Sequence, residues 1–411
     1  MQFAVFVTAL IALLLAGLIL YAYTFGFMKE QSRAAISNIH LANNGIAYLL
    51  LHPESGQDTT SLQLDQLSGQ TLKVQLSQWG IFQKAFSIAQ HRTKNFSKVS
   101  LIGSKLNSKS SPTVYLQDSD NPLSLAGNTV IKGLAVLPAV GVRPAYISGD
   151  SYYGTELVYG SIQTSSNRLP PINENLRTGL KQYILKIVNP PFENFTSSAR
   201  YNISQSFLLP VRTLYSADAV VLKDAELSGN IIVRSDKSIT VSRSAKLTDV
   251  ILCAPTIIVN DNVNGTFQGF ATERIQVGKA CRIAYPSALV LIDEQSAETV
   301  DDENSAYKIV VGSESTIKGM ICYLSTNKLL NFEKHILLDD ESVLIGQVYC
   351  EGNLEIKGAV SGSVYTRQFL VNQRGSIFIN HLYNATLDTV DFPIGGITFE
   401  DKTSTVIKWL K

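Results

Sequence analysis

The side chains best suited to chemistry in this 411-residue chain are two acidic clusters, Asp301, Asp302 and Glu303, and Asp339, Asp340 and Glu341. Carboxylates held ~5 to 9.5 Å apart in a groove can serve as acid and base, or acid and nucleophile, on a glycosidic bond. Neither cluster repeats or aligns in a way that suits such work. The first lies within Asp293 to Tyr307, a polar stretch with no apolar period, and reads as a solvated loop. The second follows the apolar run Ile336 to Leu338 and reads as a turn. No D-x-D-x-D-G order offers calcium an oxygen cage.

Metal and nucleophile chemistry are equally poorly served. The histidines His40, His52, His91, His335 and His381 are scattered, with no H-E-x-x-H. The cysteines Cys253, Cys281, Cys322 and Cys350 are widely spaced, with no C-x-x-C pair. Structural metal sites use closely paired ligands. No metal or other cofactor is therefore expected, and the cysteines read as buried thiols in apolar strands such as Val250 to Ala254 and Met320 to Leu324. A G-x-S-x-G elbow and a phosphate-binding glycine loop are both absent from the sequence. Lys and Arg number 35 against 34 Asp and Glu, a net charge of +1, which gives no field to draw nucleic acid. Neither a nucleic-acid partner nor a small-molecule ligand is expected. The residues point to association rather than turnover, and the chain reads as a non-enzyme.

The elements that would position an association surface begin at the amino terminus. Met1 to Met28 contain no charged side chain, and nearly every residue from Phe3 to Phe27 is apolar or small. A helix rising ~1.5 Å per residue crosses a ~30 Å hydrocarbon layer over such a length. The run is too long for the core of a secretory signal, so a permanent single span is expected. Ala12, Ala16 and Gly17 would let helices approach closely within the membrane. Beyond the span, Ile36, Ile39, Asn43, Ile46 and Leu50 recur at three- and four-residue steps, which predicts an amphipathic extension as far as Pro53. That stripe is the expected contact set, either for sister helices or for the chain's own next domain.

The fold class expected is mainly β: a transmembrane helix with a long extension over 1–52, a small mixed β-rich domain over 53–112, then a parallel β-solenoid. Leu72, Val74 and Leu76 alternate as in a strand, whereas Phe82 to Gln90 suits a short helix or a strand. In the carboxy-terminal half an 18-residue period aligns Ser238–Val241 with Thr256–Val259 and Arg274–Val277. It also sets Ile232 on Val250, Val233 on Ile251, Gly229 on Gly265, and Ile336 and Leu338 on Leu354 and Ile356. Repetition of short strands at this spacing stacks like faces coil upon coil. Glycines open the strands Gly319–Tyr323, Gly346–Cys350 and Gly362–Tyr365, where a corner would favour φ > 0. The solenoid is expected to start over 113–168, to be interrupted by an insertion over 169–210 holding a helix near Leu176 to Val188, and to resume over 211–391. Residues 392–411 would cap its last coil.

The uncharged span, the basic Arg33 beyond it, and the continuation Ala34, Ala35, Asn38, Ala42, Asn43, Gly45, Ile46 and Ala47 resemble the amino-terminal helix of type IV pilin-like and pseudopilin-like minor components. Val5 stands where that family carries glutamate. The Gly-x-apolar cadence from Ala219 to Asn380 resembles the β-solenoid of bactofilins. The resemblances imply a structural or assembly component of a bacterial envelope apparatus, held in the inner membrane with its body in the periplasm. Its partners would be the membrane and other envelope or pilin-like subunits, or further copies of itself. Two alternatives stay open at this point: a membrane-tethered, bactofilin-like cytoskeletal polymer and an anchored polysaccharide-active enzyme.

Overall fold

The uncharged segment and the amphipathic one after it fold as a single 50-residue helix, α1 (Gln2–Leu51), which stops where Pro53 could not have donated to the next turn. It is long and apolar enough to cross a membrane, with a mean hydropathy of 2.9 in its most apolar window and none of that window buried. The computed structural model describes residues 2–53, 60–65, 70–91, 94–105, 111–184, 192–195, 201–294, 307–325, 332–390, 394–399 and 404–410. They fall into two compact units, Met1–Ser77 with Ala85–Ser100, and Gln78–Lys84 with Leu101–Lys411.

In the first unit the second half of α1 buries Asn38, Leu41, Ala42, Gly45, Ile46 and Leu49. Four strands follow: β1 (Thr60–Asp65), β2 (Gln70–Trp79), β3 (Phe82–His91) and β4 (Lys94–Lys105), hydrogen-bonded in that order. Leu72, Val74 and Leu76 are buried on β2, as their alternation predicts. The ambiguous stretch after it is strand. Ala85, Ser87 and Ala89 are buried with period two, and Gly80 and Ile81 make the turn that leads into it, Gly80 taking φ +64°.

The second unit is dominated by a large parallel sheet. Ser238–Val241 pairs with Thr256–Val259, which pairs with Arg274–Val277, in the register read from sequence. Ile336 and Leu338 likewise pair with Leu354 and Ile356. Other pairs lie one position away from that register. Ile232 faces Ile251 and Val233 faces Leu252, because Asp249 occupies a bulge at φ +60° and lengthens that turn. Gly265 lies against Leu247, itself paired with Leu227, and so is not in line with Gly229.

Glycines 319, 346 and 362 stack on one another at φ +143° to +146°. A Cβ on Gly346 would fall on the carbonyl oxygen of Gly319, and one on Gly362 on that of Gly346, so only glycine fits this column.

Several of these strands are buried on both faces. Ala288–Asp293 and Met320–Leu324 read as unbroken buried runs, their inward side chains forming one continuous apolar core. Outside, they are covered by helix α2 (Glu174–Ile184), by Trp79–Phe82 and by residues 394–399. Asn173 caps α2, its Oδ1 accepting from the amides of Asn175 and Leu176 at 3.0 and 3.3 Å. Tyr183 stacks on Phe270 with centroids 4.7 Å apart. Gln268 accepts from the Ile81 amide at 2.9 Å, and Gln347 from the Ile397 amide at 2.6 Å.

The order of strands in the sheet is not their order in the chain. Val114–Leu116 pairs with Val364–Thr366, not with strands near residue 212, and the sheet continues through Ala135–Leu137 to Ile162–Thr164. The early segment thus follows the carboxy-terminal strands in the sheet. Gly395 and Gly396 pair with Lys105 and Ser104 at the end of β4, Ile407 lies against Gly103, and Lys408 reaches the Asp249 carboxylate at 2.7 Å.

Candidate functional site

α1 presents two different surfaces. Over Asn38–Leu49 small residues allow close packing within the first unit. A Cβ on Gly45 would meet Ser87 Oγ and approach Leu72 and Val74 at 3.0 Å. Asn38 Nδ2 donates to the Lys94 carbonyl at 3.2 Å, Gln70 Nε2 to Ser37 Oγ at 3.0 Å, and Lys98 to Asn43 Oδ1. Of the expected contact set, Ile46 is buried here, Asn43 and Leu50 are half-buried, and Ile36 and Ile39 are 53% and 39% exposed. The buried stripe is centred roughly 110° around the helix from the expected one, at 100° per residue. Ala12, Ala16 and Gly17 are exposed with the rest of the apolar segment, and nothing stands within 4 Å of where a Gly17 Cβ would be.

Asp301, Asp302 and Glu303 lie outside the described residues. Asp339, Asp340 and Glu341 form one corner of the parallel sheet. At successive corners Asn262, Ala280, Glu314 and Glu341 take φ between +53° and +60°. The amide of Asn262 donates to the Lys279 carbonyl, that of Ala280 to Ser313, and that of Glu314 to Asp340, at 2.9, 3.0 and 3.3 Å. Asp339 pairs with Lys357 at 3.5 Å, and its carbonyl accepts from Ser342 Oγ at 2.6 Å. These carboxylates build a turn and do not converge on a groove.

A group of buried and half-buried polar side chains surrounds His335, a cluster the sequence did not reveal because stacking brings together residues from Asp293 to Arg367. His335 Nδ1 accepts from the Asn353 amide at 3.0 Å, which leaves Nε2 facing Glu333 at 3.3 Å. Its ring lies 4.4 Å from that of Tyr323, whose hydroxyl donates to Asp293 at 3.1 Å. Tyr307 donates to Glu355, and Arg367 to Asn353 Oδ1 at 2.9 Å.

Burial pushes the His335 imidazole below its ordinary pKa, with Glu333 opposing. Burial raises the Glu355 carboxyl, against the Tyr307 hydrogen bond. The ring nitrogen that could act as a base is already committed to a backbone amide, so this histidine holds structure and has no lone pair to offer a substrate. Among the described residues no group of three or more His, Cys, Asp or Glu is placed to hold a metal ion.

The four thiols are free and buried, and burial raises Cys253 and Cys350 to about 12. An ion pair between Arg177 of α2 and Glu351, with Ser325 donating its amide to the same carboxylate at 2.8 Å, fixes the covering helix. No protein-family model, curated protein or solved structure matches this chain.

Proposed function

We propose that the chain is a non-enzymatic structural component of a bacterial envelope assembly, held by one membrane-crossing helix and resembling pilin-like or pseudopilin-like minor subunits in that helix. The observation that carries this reading is that one unbroken helix changes character along its length. Its first part is exposed and apolar, while its second part packs within a small antiparallel unit. Exposed apolar surface on that scale needs lipid or other helices to cover it.

We further infer that the parallel sheet coils as a β-solenoid. Strands pairing in parallel with those one repeat later, and a continuous core between them, support that reading. Such a coil supplies a stiff surface without reactive groups. In this reading the partners are the bilayer and other envelope subunits or copies of the chain, and the body lies in the periplasm.

Protease access tests the placement. In spheroplasts, added protease is expected to degrade the body while a cytosolic control survives. Protection of the body until the inner membrane is lysed would instead favour a cytosolic, tethered polymer.

A further inference from the structure

Leu208, Leu209, Pro210 and Val211 are four consecutive apolar residues, all of them exposed, the two leucines by 49% and 54% and the valine by 39%. Such a run on a folded surface is a liability unless something covers it. Phe207, immediately before, is buried edge-on against Trp79 with ring centroids 5.3 Å apart.

The run forms a closed tip whose base is fastened by the buried Asn230. The Asn230 amide donates to the Gln205 carbonyl at 2.9 Å, its carbonyl accepts from the Arg212 amide at 3.0 Å, and its Nδ2 donates to the Leu209 carbonyl at 2.7 Å. Gln205 Nε2 donates to the Pro210 carbonyl at 2.8 Å. Ser206 accepts the Leu209 amide on its carbonyl at 3.1 Å and the Leu208 amide on its hydroxyl at 3.2 Å, while Pro210 brings no amide at all. Gly229, at φ +92°, lets the strands close at this base, because a Cβ there would fall on the Gln205 carbonyl oxygen.

This combination of bare aliphatic side chains and partnered backbone narrows what can cover the tip. Hydrocarbon offers no hydrogen bonds, so a segment entering it must satisfy its own backbone groups. A stable protein interface takes about 800 Å² per partner and roughly one hydrogen bond per 100–200 Å², and four small residues supply neither. Charge is no obstacle to lipid. Over residues 201–215 the only charged side chain is Arg212, whose guanidinium pairs with Glu193 at 2.8 Å. On the flanking strand Glu226–Gly229, Glu226 pairs with Lys246 at 3.7 Å, and Lys84 lies 5.6 Å from the Trp79 ring beside Phe207. The carboxylates on the flanking strands are thus matched by cations and do not repel an anionic headgroup layer.

We propose that residues 208–211 insert into a lipid surface as a second membrane contact, separate from the α1 span. Leu208, Leu209 and Val211 enter the boundary between headgroups and acyl chains, and the Asn230 clamp holds the tip in shape. The inference rests on the anchoring reading, which keeps a bilayer within reach of the body.

The test uses the full-length chain reconstituted into vesicles of phosphatidylcholine and phosphatidylglycerol. The four native thiols are buried, so Leu209→Cys can be labelled with an environment-sensitive dye. Its emission is expected to fall at least about two-fold when doxyl-labelled lipid is included, against about one-tenth for the same dye at Lys318→Cys, exposed on the sheet. Adding L208S/V211S should bring quenching at 209 down to the Lys318 level at an unchanged melting temperature. Equal quenching at 209 and 318, or quenching at 209 that survives the serines, would overturn the proposal. So would sedimentation showing oligomers that the serines abolish, without lipid quenching, since a second copy would then cover the tip. Vesicle flotation keeps the two readings apart: a chain that floats with position 209 in water defeats this inference alone, and a chain that does not float defeats both.

Discussion

The parallel sheet and the helix α1 treat apolar surface in opposite ways. In the sheet, Ala288–Asp293 and Met320–Leu324 are buried on the core side and again on the outer side, beneath α2, Trp79–Phe82 and residues 394–399. In α1, Leu13, Ile19, Tyr23 and Met28 are each about two-thirds exposed or more, and burial starts only at Asn38. A body that satisfies its own surface needs no partner to fold, whereas a helix that leaves half its length bare needs something to cover it. The difference is between a helix whose first half is bare and a sheet that covers its own apolar faces.

The contrast breaks most sharply at the glycine column. Gly346→Val would drive a side chain onto a neighbouring carbonyl at a φ that valine avoids, and should cost at least about 4 kcal/mol of stability. It should abolish cooperative thermal unfolding of the body, whereas Gly17→Val, in open space, should leave unfolding unchanged.

Next in size is the pair within α1. Ile46→Asp should destabilise the first unit by about 3 to 5 kcal/mol by burying an unpaired carboxylate. Ile39→Asp should cost within about 0.5 kcal/mol and act only on complexes. Limited proteolysis together with crosslinking separates the two effects.

A smaller effect concerns pH. Burial lowers the His335 pKa from its usual 6.5, with Glu333 partly opposing. Below that usual value the unfolded chain takes up a proton that the folded chain refuses. The stabilisation is therefore complete above about pH 6.5 and is lost as pH falls. The melting temperature should decline between pH 7 and 5 more steeply in wild type than in His335→Asn. Glu351 and Glu355, which burial raises, contribute with the opposite sign and remain in both proteins. The smallest effect expected is at Lys408→Ala, which removes the pair with Asp249 and should cost no more than about 1 kcal/mol by equilibrium denaturation.

Much of the sheet was legible because its repeat is local. Ile257 and Val259 recur one period later as Ile275 and Val277, and each falls on its predicted partner. The register shifts by one position where Asp249 sits in a bulge, which a count of apolar positions cannot register. The joining of Val114–Leu116 to Val364–Thr366 was not legible at all, since nothing in either segment encodes a pairing between such distant parts of the chain.

On α1 the face that packs within the first unit is not the one that apolar spacing picks out. Ala42 and Gly45 are weakly hydrophobic, yet it is their smallness that lets this face approach Ser87 and Val74. The His335 cluster stayed hidden for a related reason: its polar members are assembled by stacking, from strands whose own patterns read as ordinary.

Cysteine crosslinking from position 39 tests the central claim most directly. The four native thiols are buried, so in Ile39→Cys the introduced thiol is the one open to a membrane-permeant bis-maleimide. A discrete crosslinked species is expected in native membranes, and none when the cysteine is placed at Ser361, on the sheet. A chain that stays monomeric from position 39 but crosslinks efficiently from position 361 would contradict it.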